Sequence, residues 1–167
     1  MQLQKDLILD HKKIQYILKR MAYQIYESNV YEKEIILAGI KENGFLLAKK
    51  LKTEVENISK LKVTLCEIEM NKRNPLHSIS SSLLPDEMKN KSIVVIDDVL
   101  HSGSTLIYAV SYILEVSIKQ IKTAVLIDRN HKKFPVKADF KGLSLSTSLN
   151  ENVVVIFEKN KDRAVLE

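Results

Sequence analysis

Apolar positions in this chain recur with two periods, one helical and one extended, and the two alternate from segment to segment. From His11 to Ser28 the set Ile14, Ile17, Leu18, Met21, Ala22 and Ile25 falls on one helical face, with Lys12, Lys13, Lys19 and Arg20 on the others, which predicts an amphipathic helix. Glu34 to Ile40 reads as a strand, and after a glycine-containing turn Leu47, Leu51 and Val55 form the inner stripe of a second helix from about Phe45 to Ile58. Leu61 to Ile68 is a further strand. Glu69 to Lys91 is polar, broken by Pro75 and Pro85 with SISSS at its centre, and reads as a long mobile loop, hood or partial hairpin. The β-branched run Ile93 to Ile96, a helix from Ser104 to Val116 and a strand from Ile121 to Ile127 come next. A basic turn from Arg129 to Lys137 and strands near Leu143 to Thr147 and Val153 to Phe157 complete the pattern. Alternating strands and helices imply an α/β domain: a mainly parallel sheet in three layers, with helices on both faces.

Composition changes this picture little. At 167 residues the chain fits one domain, and 45% hydrophobic with 28% charged residues is the balance of an ordinary globular protein. The first ten residues lack the apolar run of a signal peptide and no later run approaches a membrane span, so a cytoplasmic setting without membrane contact is expected. The single Cys66 lies in a strand-like segment and reads as a core thiol, while His11, His77, His101 and His131 are scattered without zinc-ligand spacing. A net charge of +5 suits either a phosphorylated sugar or an RNA backbone, and does not choose between them.

The candidate chemistry lies in Ser92 to Tyr108, SIVVIDDVLHSGSTLIY. A buried parallel strand would deliver Asp97 and Asp98 to the carboxyl edge of the sheet, where ligands bind in such folds. His101, Ser102, Gly103, Ser104 and Thr105 follow at a helix start, where hydroxyls and unpaired backbone N–H groups favour a phosphate. The two carboxylates can accept hydrogen bonds from vicinal ribose hydroxyls. Because side chains alternate along a strand, both can face one ligand only where the chain leaves the ladder between them. A plain N-cap role for Ser102 or Ser104 is the bland alternative. A Walker loop is excluded, since no lysine follows the glycine, and a receiver-domain acidic pair would lie nearer the chain start.

The stretch Val94 to Thr105, VVIDDVLHSGST, resembles the phosphoribosyl diphosphate (PRPP) signature of type I phosphoribosyltransferases. LILDHKKIQ from Leu7, AGIKENG from Ala38 and LIDRNHKKFPVKADFKGLSLSTS from Leu126 resemble the bifunctional pyrimidine operon attenuation regulator and uracil phosphoribosyltransferase (PyrR) family, so nearly the whole chain is covered. The resemblance implies the type I phosphoribosyltransferase fold with a small hood, and transfer of phosphoribose from PRPP to a nucleobase, with uracil giving UMP. Magnesium would neutralise the pyrophosphate, held mainly through substrate and water. Residues 101–105 would hold the 5′-phosphate, and Asp97 and Asp98 the ribose hydroxyls. Gly39, Ile40, Lys41, Glu42 and Asn43 would cradle pyrophosphate, with Lys41 and Arg73 beside the two aspartates as catalytic cations. Asp128, Arg129, Phe140, Lys141 and Thr147 would form the base pocket; a core role for Phe140, and a mutual Asp128–Arg129 pair shaping the wall, are the alternatives. The same resemblance implies an mRNA leader as partner, bound by Lys19, Arg20, His131, Lys132 and Lys137 together with Lys133, and a homo-oligomer, dimer or tetramer. A solvated charged face is the alternative for those basic residues. Three departures stand out. Asn43 replaces a family arginine, Tyr23 a family histidine, and the hood carries Lys72, Arg73, Asn74 and Pro75 in place of an arginine followed by acidic residues. A nucleotide-sensing RNA regulator with weak or no catalysis is therefore the rival to an enzyme.

Overall fold

Three stretches buried without interruption, residues 35–40, 92–97 and 123–128, run through the middle of the molecule. Strands covered on both faces by helices need apolar side chains on both, which is why these runs read as continuous rather than alternating. The computed structural model describes residues 6–76, 78–148 and 150–167; His77 lies outside them. In chain order the elements are β1 (Asp6–Leu9), α1 (His11–Glu27), β2 (Glu34–Ile40), α2 (Asn43–Ile58), β3 (Lys62–Met70), β4 (Ile79–Ser81), α3 (Pro85–Met88), β5 (Ser92–Leu100), α4 (Ser104–Ile113), β6 (Gln120–Asp128), β7 (Phe140–Ser144), β8 (Val153–Ile156) and β9 (Arg163–Leu166).

The main sheet has the order β4-β3-β2-β5-β6-β7, parallel except for β4. On one face Leu37, Val94, Ile96, Ala124 and Leu126 pack against Ile14 and Leu18 of α1 and Leu47 and Leu51 of α2. On the other, Ala38, Ile40, Ile93, Val95 and Val125 pack against Leu106, Ala109 and Ile113 of α4 and Met88 of α3. That is the three-layer α/β arrangement. The chain leaves β2 toward β3 on one side and later returns to β5 on the other. Their junction is the topological switch point, where open α/β sheets leave a crevice at the strands' carboxyl ends. No helix among the described residues is long and apolar enough to cross a membrane.

Several elements differ from the sequence expectation. The segment 69–91, expected as a long loop or partial hairpin, carries β4, paired antiparallel with the end of β3, and the one-turn helix α3, whose Met88 enters the core. The strand expected near Leu143 starts at Phe140 and ends at Ser144. β8 does not join the main sheet but forms a separate antiparallel sheet of order β1-β9-β8, seated on the α1–α2 face through Val155 and Ala164. Neither β1 nor β9 was expected; each is four residues long and draws its partner from the opposite end of the chain, so local pattern carries no trace of the pairing.

β5 runs four residues beyond the expected strand. Its pairing with β2 stops at Gly39↔Ile96, whereas its pairing with β6 continues to Leu100↔Asp128. Past Ile96 one edge of β5 is therefore free, and both aspartates sit there. Asp97 is 5% exposed, and burial first, then the neighbouring charge of Asp98, pushes its pKa up to about 8. A carboxyl raised in the folded state binds a proton there that the unfolded chain has already lost, so its contribution to stability falls as pH rises from the ordinary carboxylate range toward about 8. Thermal unfolding of the wild type and Asp97→Asn should show this: between about pH 5 and about pH 8 the variant should gain in Tm relative to the wild type. Parallel curves would show that Asp97 is ionised throughout.

Candidate functional site

The site is built from two strand-to-helix corners on adjacent strands, β2–α2 and β5–α4. At the first, the backbone of α2 presses against β2 and β5. A Cβ on Gly39 would come within 2.6 Å of Phe45 Cα, and one on Gly44 within 2.8 Å of the Ile96 carbonyl and 3.2 Å of Asp97 Oδ1. Only glycine allows the first turn of α2 to sit this close to the aspartates. Glu42, directly before the helix, takes φ 72°, an uncommon left-handed conformation for a residue with a side chain. The first amides of α2, which have no acceptor within the helix, begin at this tight corner. Lys41 is engaged by Glu69 of β3, whose hydrogen bond and charge raise its pKa. Both partners are half exposed, so the pair is weak and free to exchange.

At the second corner Gly103 has φ 87°, and a Cβ there would come within 2.6 Å of Val136 Cγ1. The basic turn after β6 is what closes on it: Lys133 N and Phe134 N both donate to the Ser102 carbonyl, at 2.8 and 3.1 Å. Asp97, His101, Ser102, Gly103, Thr105 and Leu106 line the resulting cleft. Ser104, the first residue of α4, donates its amide to Ser102 Oγ, so Ser102 shapes the loop as well as lining it. His101 meets His131 edge to face, at 6.3 Å between ring centroids. Burial first, then the charges of Arg129, His131 and Lys133, lower the His101 pKa and favour its neutral ring.

Between the corners stand the two aspartates. Asp97 Oδ1 accepts from the amide of Asp98 at 3.0 Å, and Asp98 Oδ1 from that of Val99 at 2.9 Å. Core packing also changes phase here. Val94 and Ile96 face the α1–α2 layer and Ile93 and Val95 the α4 layer, but after the doublet Val99 packs with the first and Leu100 with the second. That shift is the departure needed for neighbouring side chains to share one crevice. Asn43 Nδ2 donates to Asp98 Oδ2, and Lys72 Nζ lies 3.8 Å from Asp97 Oδ1. Arg73, expected beside the doublet, lines the neighbouring cleft with Lys41 and Glu42, and the hood residue that meets the doublet is Lys72.

The base side is rearranged relative to expectation. Asp128, buried at the end of β6, has Lys132 Nζ at 3.7 Å and Lys141 Nζ at 3.8 Å, and does not pair with Arg129. The buried guanidinium of Arg129 instead donates to Thr147 Oγ1 and to the carbonyls of Ser148 and Glu151, pinning the loop between β7 and β8. His131 bonds the Thr147 carbonyl in the same loop. Phe140 is a core residue: it opens β7 opposite Ala124, whereas the sheet edge at Asp128 is level with Ser144, four residues or roughly 13 Å further along. Of the basic residues assigned to a nucleic-acid face, Lys19, Lys133 and Lys137 are exposed, Lys132 is drawn to Asp128, and Arg20 donates to the carbonyls of Lys141 and Gly142, docking α1 on β7.

Comparison with known proteins agrees with this geometry. The phosphoribosyl transferase domain family matches residues 4–159. A protein named bifunctional protein PyrR from Macrococcus caseolyticus is 32% identical over 166 residues, covering 95% of each chain. One of the same name from Clostridium beijerinckii is 36% identical over 159 residues, covering 90% of this chain and 89% of its own. Among solved structures, the hypoxanthine phosphoribosyltransferase of Trypanosoma cruzi superposes with a TM-score of 0.77 at 16% identity, covering 96% of this chain and 95% of that one. A hypoxanthine-guanine phosphoribosyltransferase of Bacillus anthracis gives 0.72 at 21% identity, covering 84% and 82%. The structural likenesses carry the fold, and the sequence relatives carry the family: the chain belongs to the phosphoribosyltransferases, and within them is similar throughout its length to the PyrR proteins.

Proposed function

We propose that this phosphoribosyltransferase transfers the 5-phosphoribosyl group of PRPP to uracil, forming UMP and pyrophosphate. The observation that carries the reading is the acidic doublet at the switch point, flanked on adjacent strands by two glycine-dependent helix starts. In the reaction the bond from ribose C1 to the pyrophosphate oxygen breaks, its electron pair leaves with pyrophosphate, and a base nitrogen bonds to C1 and gives up its proton to the departing pyrophosphate or to solvent. Residues 101–105 and the first amides of α4 fix the 5′-phosphate. The β2–α2 amides receive the leaving group, with Lys41, Lys72 and Arg73 near the same crevice to offset its charge. The Asp98 carboxylate beside the sugar favours the positive charge that develops on C1, an electrostatic contribution strongest where water is excluded. The Asp128 carboxylate, set between Lys132 and Lys141, and the Arg129-pinned loop through Thr147 flank the base side.

Magnesium fits the donor set as a substrate-borne ion. Among the described residues no three His, Cys, Asp or Glu side chains converge on one point, while the crowded Asp97–Asp98 pair offers hard oxygen donors. When bound, the ion would neutralise pyrophosphate. The same reading carries with it a cytoplasmic setting and a homo-oligomer.

A second reading, binding of an mRNA leader, is favoured by one feature of α1. Its outward face carries Lys12, Lys13, Lys19 and two tyrosines, Tyr16 and Tyr23, that are 63% and 59% exposed. Basic side chains contact phosphates and exposed rings stack on unpaired bases.

Two experiments test these readings. Purified protein with PRPP and magnesium should convert uracil to UMP, and Asp98→Asn should lower kcat/KM by about a hundredfold. A nucleotide formed from hypoxanthine, guanine or xanthine but not from uracil would overturn the choice of base. For RNA, Lys19→Glu with Lys137→Glu should abolish a salt-sensitive gel shift of a pyrimidine-gene leader hairpin while PRPP binding survives; an unchanged shift would remove this face as the RNA site.

A further inference from the structure

The position where relatives by resemblance carry an arginine is here a neutral amide, and both of its hydrogens are already committed. Asn43 Nδ2 donates to Asp98 Oδ2 at 2.9 Å and to the carbonyl oxygen of Val155 in β8, also at 2.9 Å. The orientation of the amide is fixed by its surroundings. A carboxylate and a carbonyl both only accept, so the side chain can face them only with its nitrogen. What remains is Oδ1, an acceptor, which would oppose the oxygens of pyrophosphate rather than bind them.

Asp98 is thereby held from two directions. Its Oδ1 takes the Val99 amide and its Oδ2 takes the Asn43 amide, and the neighbouring Asp97 carboxyl meets it as well. The lone-pair directions that remain suit a ribose hydroxyl. The Val155 carbonyl supplies the second restraint. It belongs to the small β1-β9-β8 sheet, so the same amide ties that sheet to the sugar site across 112 positions of sequence.

We infer that Asn43 is a positioning residue for the ribose, orienting the Asp98 carboxylate toward the sugar hydroxyls, and that it is not part of the pyrophosphate cradle. The inference rests on the reading that Asp98 accepts from ribose hydroxyls. The leaving group is left to the backbone amides of the β2–α2 corner and to the nearby lysines.

Calorimetry with three probes separates the possibilities: ribose 5-phosphate, 2-deoxyribose 5-phosphate, and inorganic pyrophosphate with magnesium. The wild type should favour ribose 5-phosphate over its deoxy analogue by about tenfold or more, the discrimination expected of a hydroxyl bonded to a charged acceptor. Asn43→Ala and the similar-sized, uncharged Asn43→Leu should erase most of that preference while leaving the affinities for the deoxy sugar and pyrophosphate unchanged. Retained deoxy-sugar binding also reports that the variants are folded. A preserved sugar preference with lost pyrophosphate affinity would place Asn43 in the leaving-group cradle and overturn the inference. Equal weakening for both sugars would make Asn43 a structural brace only, and would also overturn it. If the wild type itself shows no preference between the sugars, the underlying assignment of Asp98 to the ribose fails, and the inference with it.

Discussion

Two adjacent carboxylates at the end of a strand buried on both faces create a local surplus of negative charge, and much of the structure around them answers it. Bringing carboxylates out of water is costly unless donors replace the lost hydration. The donors come from four directions: the amides of Asp98 and Val99, the side-chain amide of Asn43, and at longer range the ammonium of Lys72. They do not fully compensate Asp97, which holds a proton well above the usual carboxylate range.

Topology makes this crowding possible. Because β2 and β5 are neighbours whose helices leave toward opposite faces, two helix starts open on the same crevice without competing for space. Gly44 sets how close α2 can come to the doublet, and Gly103 lets the β5–α4 loop turn beneath the basic segment. Lys41 is held loosely in a half-exposed pair with Glu69, so an incoming polyanion can draw it away at small cost, while Lys72, itself half exposed, reaches in to the buried Asp97. Arg129 behaves differently. Buried and bonded to three acceptors on one loop, it serves as a fixed brace.

Much of the architecture was legible in the residues. The amphipathic spacing from Ile14 to Ile25, the continuous apolar run of β2 and the signature around Asp97 each answer to one element, and each formed close to where expected. Roles that depend on reach were not. Phe140 looked like a stacking ring by its neighbours in sequence, but parallel pairing with Ala124 places it in the core, upstream of the sheet edge. Asp128 and Arg129 are consecutive, and alternation sends them to different partners. Arg73 and Lys72 are equally plausible cations as letters. Only the path of the β3–β4 connection brings Lys72 to Asp97.

The alternating elements, the two glycine-bearing corners and the acidic doublet can be read from the residues alone, because periodicity, turn chemistry and adjacency are local properties of a chain. Tertiary structure alone decided that β8 joins β1 and β9 in a separate sheet, that Val155 meets Asn43, and that Asn43 holds Asp98. Those contacts join residues far apart in the chain, and their geometry is set by how whole layers pack rather than by what any segment prefers.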